Sequence, residues 1–350
     1  MARGAVSVRR YDVGFVTGAE NFDVVSVGDV VTDEFIHLPD GPVRVRVDDE
    51  GRWLEIPLGT KLVVADDAQT SAGGSAANAA VAMSRLGLRV GLASYLAHDQ
   101  IGLDILSAMR GDGVGTELVH VDSPSHTVRN FILAFGGERT ILVRHAEFRY
   151  HWKALKDHEI PAWLYINSLG PDALKYQDDI ADWLDDHPSV RLAFQPGTFQ
   201  VEEGTTRLAR LYERAEVLLC GRAAAEAIAQ TPGADVGQTL EALRKLGPQS
   251  VVVINEPGGT AAADDQVQRL CVEQFSGAEP ALDDTGMGDA FGATIVAAVV
   301  QGVALKEALR WAALNAAEVA CQYGTQAGLL RRSDLIARLE ASPEFVAHDR

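Results

Sequence analysis

Cysteine is scarce in this chain, with three residues in 350, and Cys220, Cys271 and Cys321 lie far apart in apolar surroundings. They form neither a CxxC pair nor an even disulfide set, which excludes a disulfide-built scaffold and predicts reduced thiols in a cytoplasmic protein. Long hydrophobic runs are missing too. The longest, Ala290 to Val300, is interrupted by Gly292 and Thr294 and is far shorter than the ~20 residues that cross a bilayer. It predicts a buried helix. The opening MARGAVSVRRYDVG is basic but lacks the apolar core of a secretory signal, so no export is expected. Positive charge is in short supply, 31 Lys and Arg against 49 Asp and Glu for a net charge of -18, and the acids are scattered. This argues against nucleic acid or an anionic membrane as partner; an anionic ligand must be met locally. No G-x-x-x-x-G-K-[ST] occurs, which excludes a P-loop mechanism. His98, His145, His151 and His158 show no paired metal spacing and fit surface or loop roles. Internal repeats and low-complexity tracts are likewise absent.

What is present is a rhythm. FDVVSVGDVVTDEF begins with a β-branched run that stops at Gly28, and SAGGSAANAAVAMSRLG is a glycine turn opening an Ala-rich helix that closes at Gly87. RVGLASYLA, VGTELVHV, WLYINSLG, VRLAFQPGT, AEVLLCG and SVVVINEPGG follow as buried-looking strands alternating with helical segments. That alternation predicts one doubly wound, mostly parallel sheet with helices on both faces. GDGVGTE, Gly111 to Glu117, follows a helix and precedes a strand, the reverse of a dinucleotide-binding turn, and is expected to be a helix stop. FQPGTFQ, Phe194 to Gln200, is expected as a turn at a strand's carboxyl end. Two segments break the rhythm. HLPDGPVRVRVDDEGRWLEIPLGTKLVV alternates without helical period, and TVRNFILAFGGERTILVRH is a pair of strands around Gly136 and Gly137. They are expected to form a small β lid from about residues 36–69 and 128–145. The whole is read as one domain over 21–340, with 1–20 and 341–350 as tails.

The stretch DDTGMGDAF, Asp283 to Phe291, sets three carboxylates and two glycines before a hydrophobic run. A helix beginning near Gly288 leaves its first N–H groups without partners, and Gly286 and Gly288 let that backbone approach a ligand. Asp289 alone could be a capping acid favoured by the helix dipole. A phosphoryl group seated on those N–H groups would place it beside the transferred group, where a carboxylate takes the proton from an attacking hydroxyl. That is the chemistry of a kinase base.

DDTGMGDAF resembles the carboxy-terminal signature of the ribokinase-like (PfkB) carbohydrate kinases, D-T-x-G-A-G-D-x-F, with Met287 replacing the common Ala. GGSAANAAVAMSRLG is similar to their amino-terminal signature, and a G-x-x-x-x-D stretch, Gly28 to Asp33, precedes both in the same order. The resemblance covers roughly residues 22 to 335 and implies a three-layer α/β/α sandwich with a small β-sheet lid. It implies ATP-dependent phosphorylation of a primary hydroxyl on a small sugar such as ribose or fructose. A ribonucleoside is the alternative acceptor, and a catalytically impaired ligand-binding relative is a second alternative. Asp289 would be the base and the N–H groups of Gly286, Met287, Gly288 and Asp289 the anion hole. Asp33 would hold sugar hydroxyls, since a carboxylate accepts two hydrogen bonds from a vicinal diol, with Gly73, Gly74 and Asn78 lining the same pocket. Outside that role these would be a solvated loop acid, a glycine turn and a polar helix residue. Asn315 falls where relatives place a residue near the adenine, though an Asn in a helix is more often a solvated or packing polar group. Asp283 and Thr285 fit positions that help hold a monovalent cation such as K⁺ in some relatives. ATP and Mg²⁺ are the implied cofactors, and lid strands such as VRVRV and FILAF allow a homodimer. Trp53, Phe131 and Phe135 would stack a base or merely pack.

The chain departs from the pattern on the nucleotide side. Where relatives carry N-x-x-E it reads Gly221, Arg222, Ala223, Ala224, with Glu226 out of register. The usual T-x-G reads Asn255, Glu256, Pro257, leaving Asn255, Gly258 and Gly259 as the nucleotide candidates. Arg222 is the candidate to supply positive charge to a phosphate in place of a metal network.

Overall fold

The computed structural model describes residues 21–49, 51–64, 70–123, 126–136, 138–144, 146, 148–153, 155–255, 259–263, 269–276 and 281–349. Seven parallel strands form its centre, in the spatial order Ser250–Asn255, Ala215–Gly221, Arg191–Phe194, Trp163–Ile166, Val24–Val27, Val90–Ala97 and Val119–Ser123. Their runs, VVSV, WLYI and AEVLLCG among them, are nearly all apolar because both faces are covered. The two-residue period of a strand divides them between two cores. Val24, Tyr165, Leu219 and Val252 enter one, which the helices Ser75–Arg85, Gln100–Gly111, Met287–Val300, Leu305–Ala320 and Arg332–Ala341 close. Val25, Leu164, Leu218 and Val253 enter the other, under Leu174–Asp186, Ala209–Arg214, Arg222–Ala229 and Val236–Arg244. This is the expected α/β/α sandwich. The helix Met287–Val300 is buried from Ala290 to Ala298, and among the described residues no helix is long and apolar enough to cross a membrane.

Beyond Ser250–Asn255 the sheet continues antiparallel through Gly259–Ala263, Arg269–Val272 and His348–Asp349. Residues 341–350, expected as a loose tail, therefore return to the sheet as far as Asp349. Ala347 is buried and Phe345 meets Phe275 edge-on at 5.0 Å, so apolar burial draws the chain end back.

A separate mixed sheet runs Thr70–Gly73, Val31–His37, Arg129–Phe135, Glu138–Arg144. Its last two strands make a hairpin at Gly136, whose φ of +60° suits a residue without Cβ; Gly137 lies outside the described residues. Among the described residues, Arg44–Asp48 and Gly51–Glu55 pair only with each other. Strand alternation turns Asn130, Ile132, Ile141 and Val143 toward the sandwich. Phe135 faces the other side, beside Trp53 of the isolated hairpin.

The first strand, Val24–Val27, lies between Trp163–Ile166 and Val90–Ala97. The chain winds one way from it and later returns on its other side, so the connections that leave the carboxyl ends of these strands pass to opposite faces of the sheet. A crevice at such a reversal is where open α/β sheets take ligands.

Candidate active site

A cleft of about 490 Å³ opens at that reversal. Asp29, Ser168 and Gly170 contribute from the strand ends, Asp33, Asn130 and Ile132 from the small sheet, and Asn78 and Asp289 from two helices.

The turn before Met287–Val300 is fixed by its own polar groups. Thr285 donates its backbone N–H and its hydroxyl to Asp283 Oδ1 at 3.0 and 2.7 Å. Gly286 then adopts φ +85°, and a Cβ there would come within 2.9 Å of the Thr325 Cβ. A Cβ on Gly288 would meet no protein atom within 4 Å, so the first helical turn is open on that side. Asp289 lies in this turn, but its carboxylate is not used as a cap. Its Oδ2 instead accepts from Asn78 Nδ2 at 2.8 Å.

The Asn78 amide is locked in orientation. Its Oδ1 accepts from Thr325 Oγ1 at 2.9 Å and Gln326 Nε2 at 3.0 Å, so only Nδ2 can face Asp289. The helices Ser75–Arg85 and Met287–Val300 pack directly together, which brings these two side chains within reach. Burial raises the Asp289 pKa above the ordinary carboxylate value, while hydrogen bonds from Asn78 and Ser75 hold it back. The result is a carboxylate of fixed direction with enhanced proton affinity.

Asp33 sits on the small-sheet strand Val31–His37 and is only 4% exposed. Asn130, its register partner on the neighbouring strand, donates to Asp33 Oδ1 at 2.9 Å. Any side chain at Gly73 would collide with the Asp33 carboxylate, and Gly74 turns away at φ +89° to start the Ala-rich helix. Burial pushes the Asp33 pKa up to about 6, the Asn130 bond opposes this, and the charges of Asp289 and Asp283 add to the rise. Asp33 and Asp289 thus share one electrostatic environment as well as one cleft.

Other expected positions lie elsewhere. Asn315 is fully buried, donating to Thr294 Oγ1 at 2.9 Å and accepting from the Leu330 N–H at 2.9 Å. An amide spent at both ends inside the protein presents nothing to an adenine. Arg222 donates to Glu226 and to the Ala234 carbonyl and does not line the cleft. Asn255 and Gly259 pair across the strand junction at the sheet's antiparallel turn, and Gly258 lies outside the described residues. Asp283 is beside the turn, with Oδ1 occupied by Thr285 and Oδ2 buried without a hydrogen-bond partner among the described residues. Arg139, on the strand Glu138–Arg144, ion-pairs with Asp284 and lies 3.7 Å from Asp283.

Sequence reasoning missed Asp29, Tyr150 and Asn130. Tyr150 donates to Asp29 Oδ1 at 2.6 Å, and burial raises the Asp29 pKa to about 6 against that bond and one from the Gly170 backbone. A polar Asn at an inward position of the otherwise apolar lid strand was the one available signal for Asn130. Tyr150 carried none, because it sits in a loop whose path only the fold determines.

The model of the family described as "pfkB family carbohydrate kinase" matches residues 51–332. A ribokinase of Bacillus subtilis (strain 168) is 24% identical over 291 residues, covering 80% of this chain and 91% of that enzyme. A nucleoside kinase of Methanothermobacter thermautotrophicus is 24% identical over 340 residues, covering 92% of this chain and 97% of the other. The structure of Arabidopsis thaliana ribokinase complexed with ribose and ATP superposes with a TM-score of 0.74 at 19% identity, covering 91% of this chain and 99% of that one. The family match spans well over half of the sequence, and the sandwich and its small sheet agree with it: the chain belongs to the pfkB family of carbohydrate kinases, phosphotransferases that act on hydroxyl groups.

Proposed function

We propose that this protein transfers the γ-phosphoryl group of ATP to a primary hydroxyl of a small sugar, with Asp289 as general base and the turn 286–289 as anion hole. The observation that carries this reading is the Asn78-oriented carboxylate of Asp289, set in a helix's first turn and facing the same cleft as Asp33. Asp33 holds the acceptor's hydroxyls, and Gly73 leaves room for its carboxylate to do so. The oriented Oδ of Asp289 takes the proton as the hydroxyl attacks, and the N–H groups of the turn offset charge on the phosphoryl oxygens. Closure of the small sheet over the cleft would exclude water from the transfer.

Mg²⁺ belongs to this chemistry, where it neutralises phosphate charge. Among the described residues no three His, Cys, Asp or Glu side chains are placed to hold a metal ion together, and Glu226 is already held by Arg222 and the Gly233 N–H. With Gly221 and Ala224 at the N-x-x-E position, the side chains there do not fit a protein-built Mg²⁺ site. Asp283, with one buried oxygen open, suits a monovalent cation better. Residence in the cytoplasm and dimerisation through the exposed strand Glu138–Arg144 extend the same proposal.

A ribonucleoside acceptor is the second reading, favoured by the apolar wall of Ile132, Ile141 and Val143, which a flat base would cover better than a free sugar does. ADP release measured across sugars and ribonucleosides, with Asp289→Asn as control, separates the two. Tight binding of one compound without turnover of any would instead identify a ligand-binding relative that has lost catalysis.

A further inference from the structure

Resting on the kinase reading, we propose that the acceptor is neutral or cationic. It is recognised through hydrogen-bond donors at two points of one cleft, Asp33 with Asn130 and Asp29 with Tyr150, and phosphorylated sugars and nucleotides are refused. The cleft's described lining includes the carboxylates of Asp29, Asp33, Asp172 and Asp289 but no Lys, Arg or His. Arg139, a cation on the covering sheet, is engaged by Asp284 at the turn. Away from the N–H groups of the turn 286–289, which the transferred phosphoryl group takes up, an acceptor phosphate would thus meet like charge in a partly desolvated space, where such repulsion is least screened.

The polar atoms specify what is wanted instead. Asn130 must aim Nδ2 at Asp33, because its oxygen would be repelled there. Its Oδ1 is then left buried with no hydrogen-bond partner among the described residues, and a buried acceptor of that kind calls for a donor. Asp33 and Asn130 thus carry neighbouring acceptor oxygens, that of Asn130 buried until a donor reaches it, a pairing suited to neighbouring hydroxyls. Asp29 has Oδ1 engaged by Tyr150, and a carboxylate with roughly four acceptor positions keeps capacity for a further donor. Burial of both carboxylates, with pKa values pushed up to about 6, favours donors or cations as company and disfavours anions. Ile132, Ile141 and Val143 supply apolar contact for the acceptor's carbon frame.

The test uses pairs that keep a free primary hydroxyl: fructose with fructose 6-phosphate, and adenosine with adenosine 3′-monophosphate. Within whichever pair is used, kcat/KM should favour the unphosphorylated member by at least about a thousandfold. Use of a phosphorylated member within about tenfold of its parent overturns the proposal. Asp29→Asn and Asn130→Leu should each raise the acceptor KM about tenfold or more while leaving the ATP KM unchanged. Changes below about twofold in both would remove the two-point recognition. Because Asp29→Asn could disturb folding, Tyr150→Phe, which keeps the ring, provides the same readout. Calorimetry on the Asp289→Asn protein reads binding without chemistry. If the wild type turns over nothing yet the parent compounds bind and their phosphates do not, the kinase reading fails while the recognition stands. Binding of no parent compound overturns the recognition itself.

Discussion

Two helix starts in this molecule look alike in outline and differ in substance. Met287–Val300 and Arg222–Ala229 both begin where a glycine ends the preceding segment, and both expose first-turn N–H groups. At the first, Asp289 is aimed by Asn78, which Thr325 and Gln326 hold in turn. At the second, Arg222 folds back on Glu226 within its own helix, and Glu226 also accepts from the Gly233 N–H. A helix dipole is common to both. What distinguishes a site is a side chain whose direction is imposed from outside its own helix.

The comparison can be broken most severely at Asp289. Asp289→Asn keeps the size and the hydrogen bond but removes the proton acceptor, and kcat should fall about 10²- to 10⁴-fold with the fold intact by circular dichroism. Asn78→Leu attacks the support instead. It takes one hydrogen-bond partner each from Asp289, Thr325 and Gln326, so kcat should drop about tenfold to a hundredfold and unfolding titrations should show a loss of about 1–3 kcal/mol. Asp33→Asn sharpens the contrast through pH. The folded state holds the Asp33 proton more tightly than the usual 3.8, at about 6, so its ionisation costs stability. That cost is absent below about 3.8, grows between there and about 6, and is complete above, reaching at most about 3 kcal/mol. Stability of the wild type relative to Asp33→Asn should therefore decline across that window. A flat difference would mean the carboxylate is not buried in solution. The smallest effect is expected at the second helix start: Arg222→Ala should change the ATP KM by less than about threefold, and a large rise would show that Arg222 leaves Glu226 to meet phosphate.

The layered architecture was legible because it rests on periodicities within single segments. Apolar runs such as WLYI and SVVVI mark covered strands, and Gly28 and Gly87 mark their punctuation. The glycine turn at 286–288 was legible for the same reason. Pairings between distant segments were not. Asn78 meets Asp289 across 211 residues and Asn130 meets Asp33 across 97, and no local pattern encodes either distance. Asn315 stayed between two roles because a buried and a ligand-facing amide look identical in a helix until Thr294 and the Leu330 N–H are brought to it. The chain end was misread because one short apolar run, Phe345 to Ala347, was outweighed by the polar residues around it.

Asp33 is carried by the same small sheet as Ile132, Ile141 and Val143, whereas Asp289 is anchored in the sandwich. On the proposed reading, the hook for the acceptor is therefore mounted on the cover and the base on the floor. If the two parts separate after transfer, the phosphorylated product is pulled off the base by the very carboxylate that brought it in, and ejection requires no additional moving part.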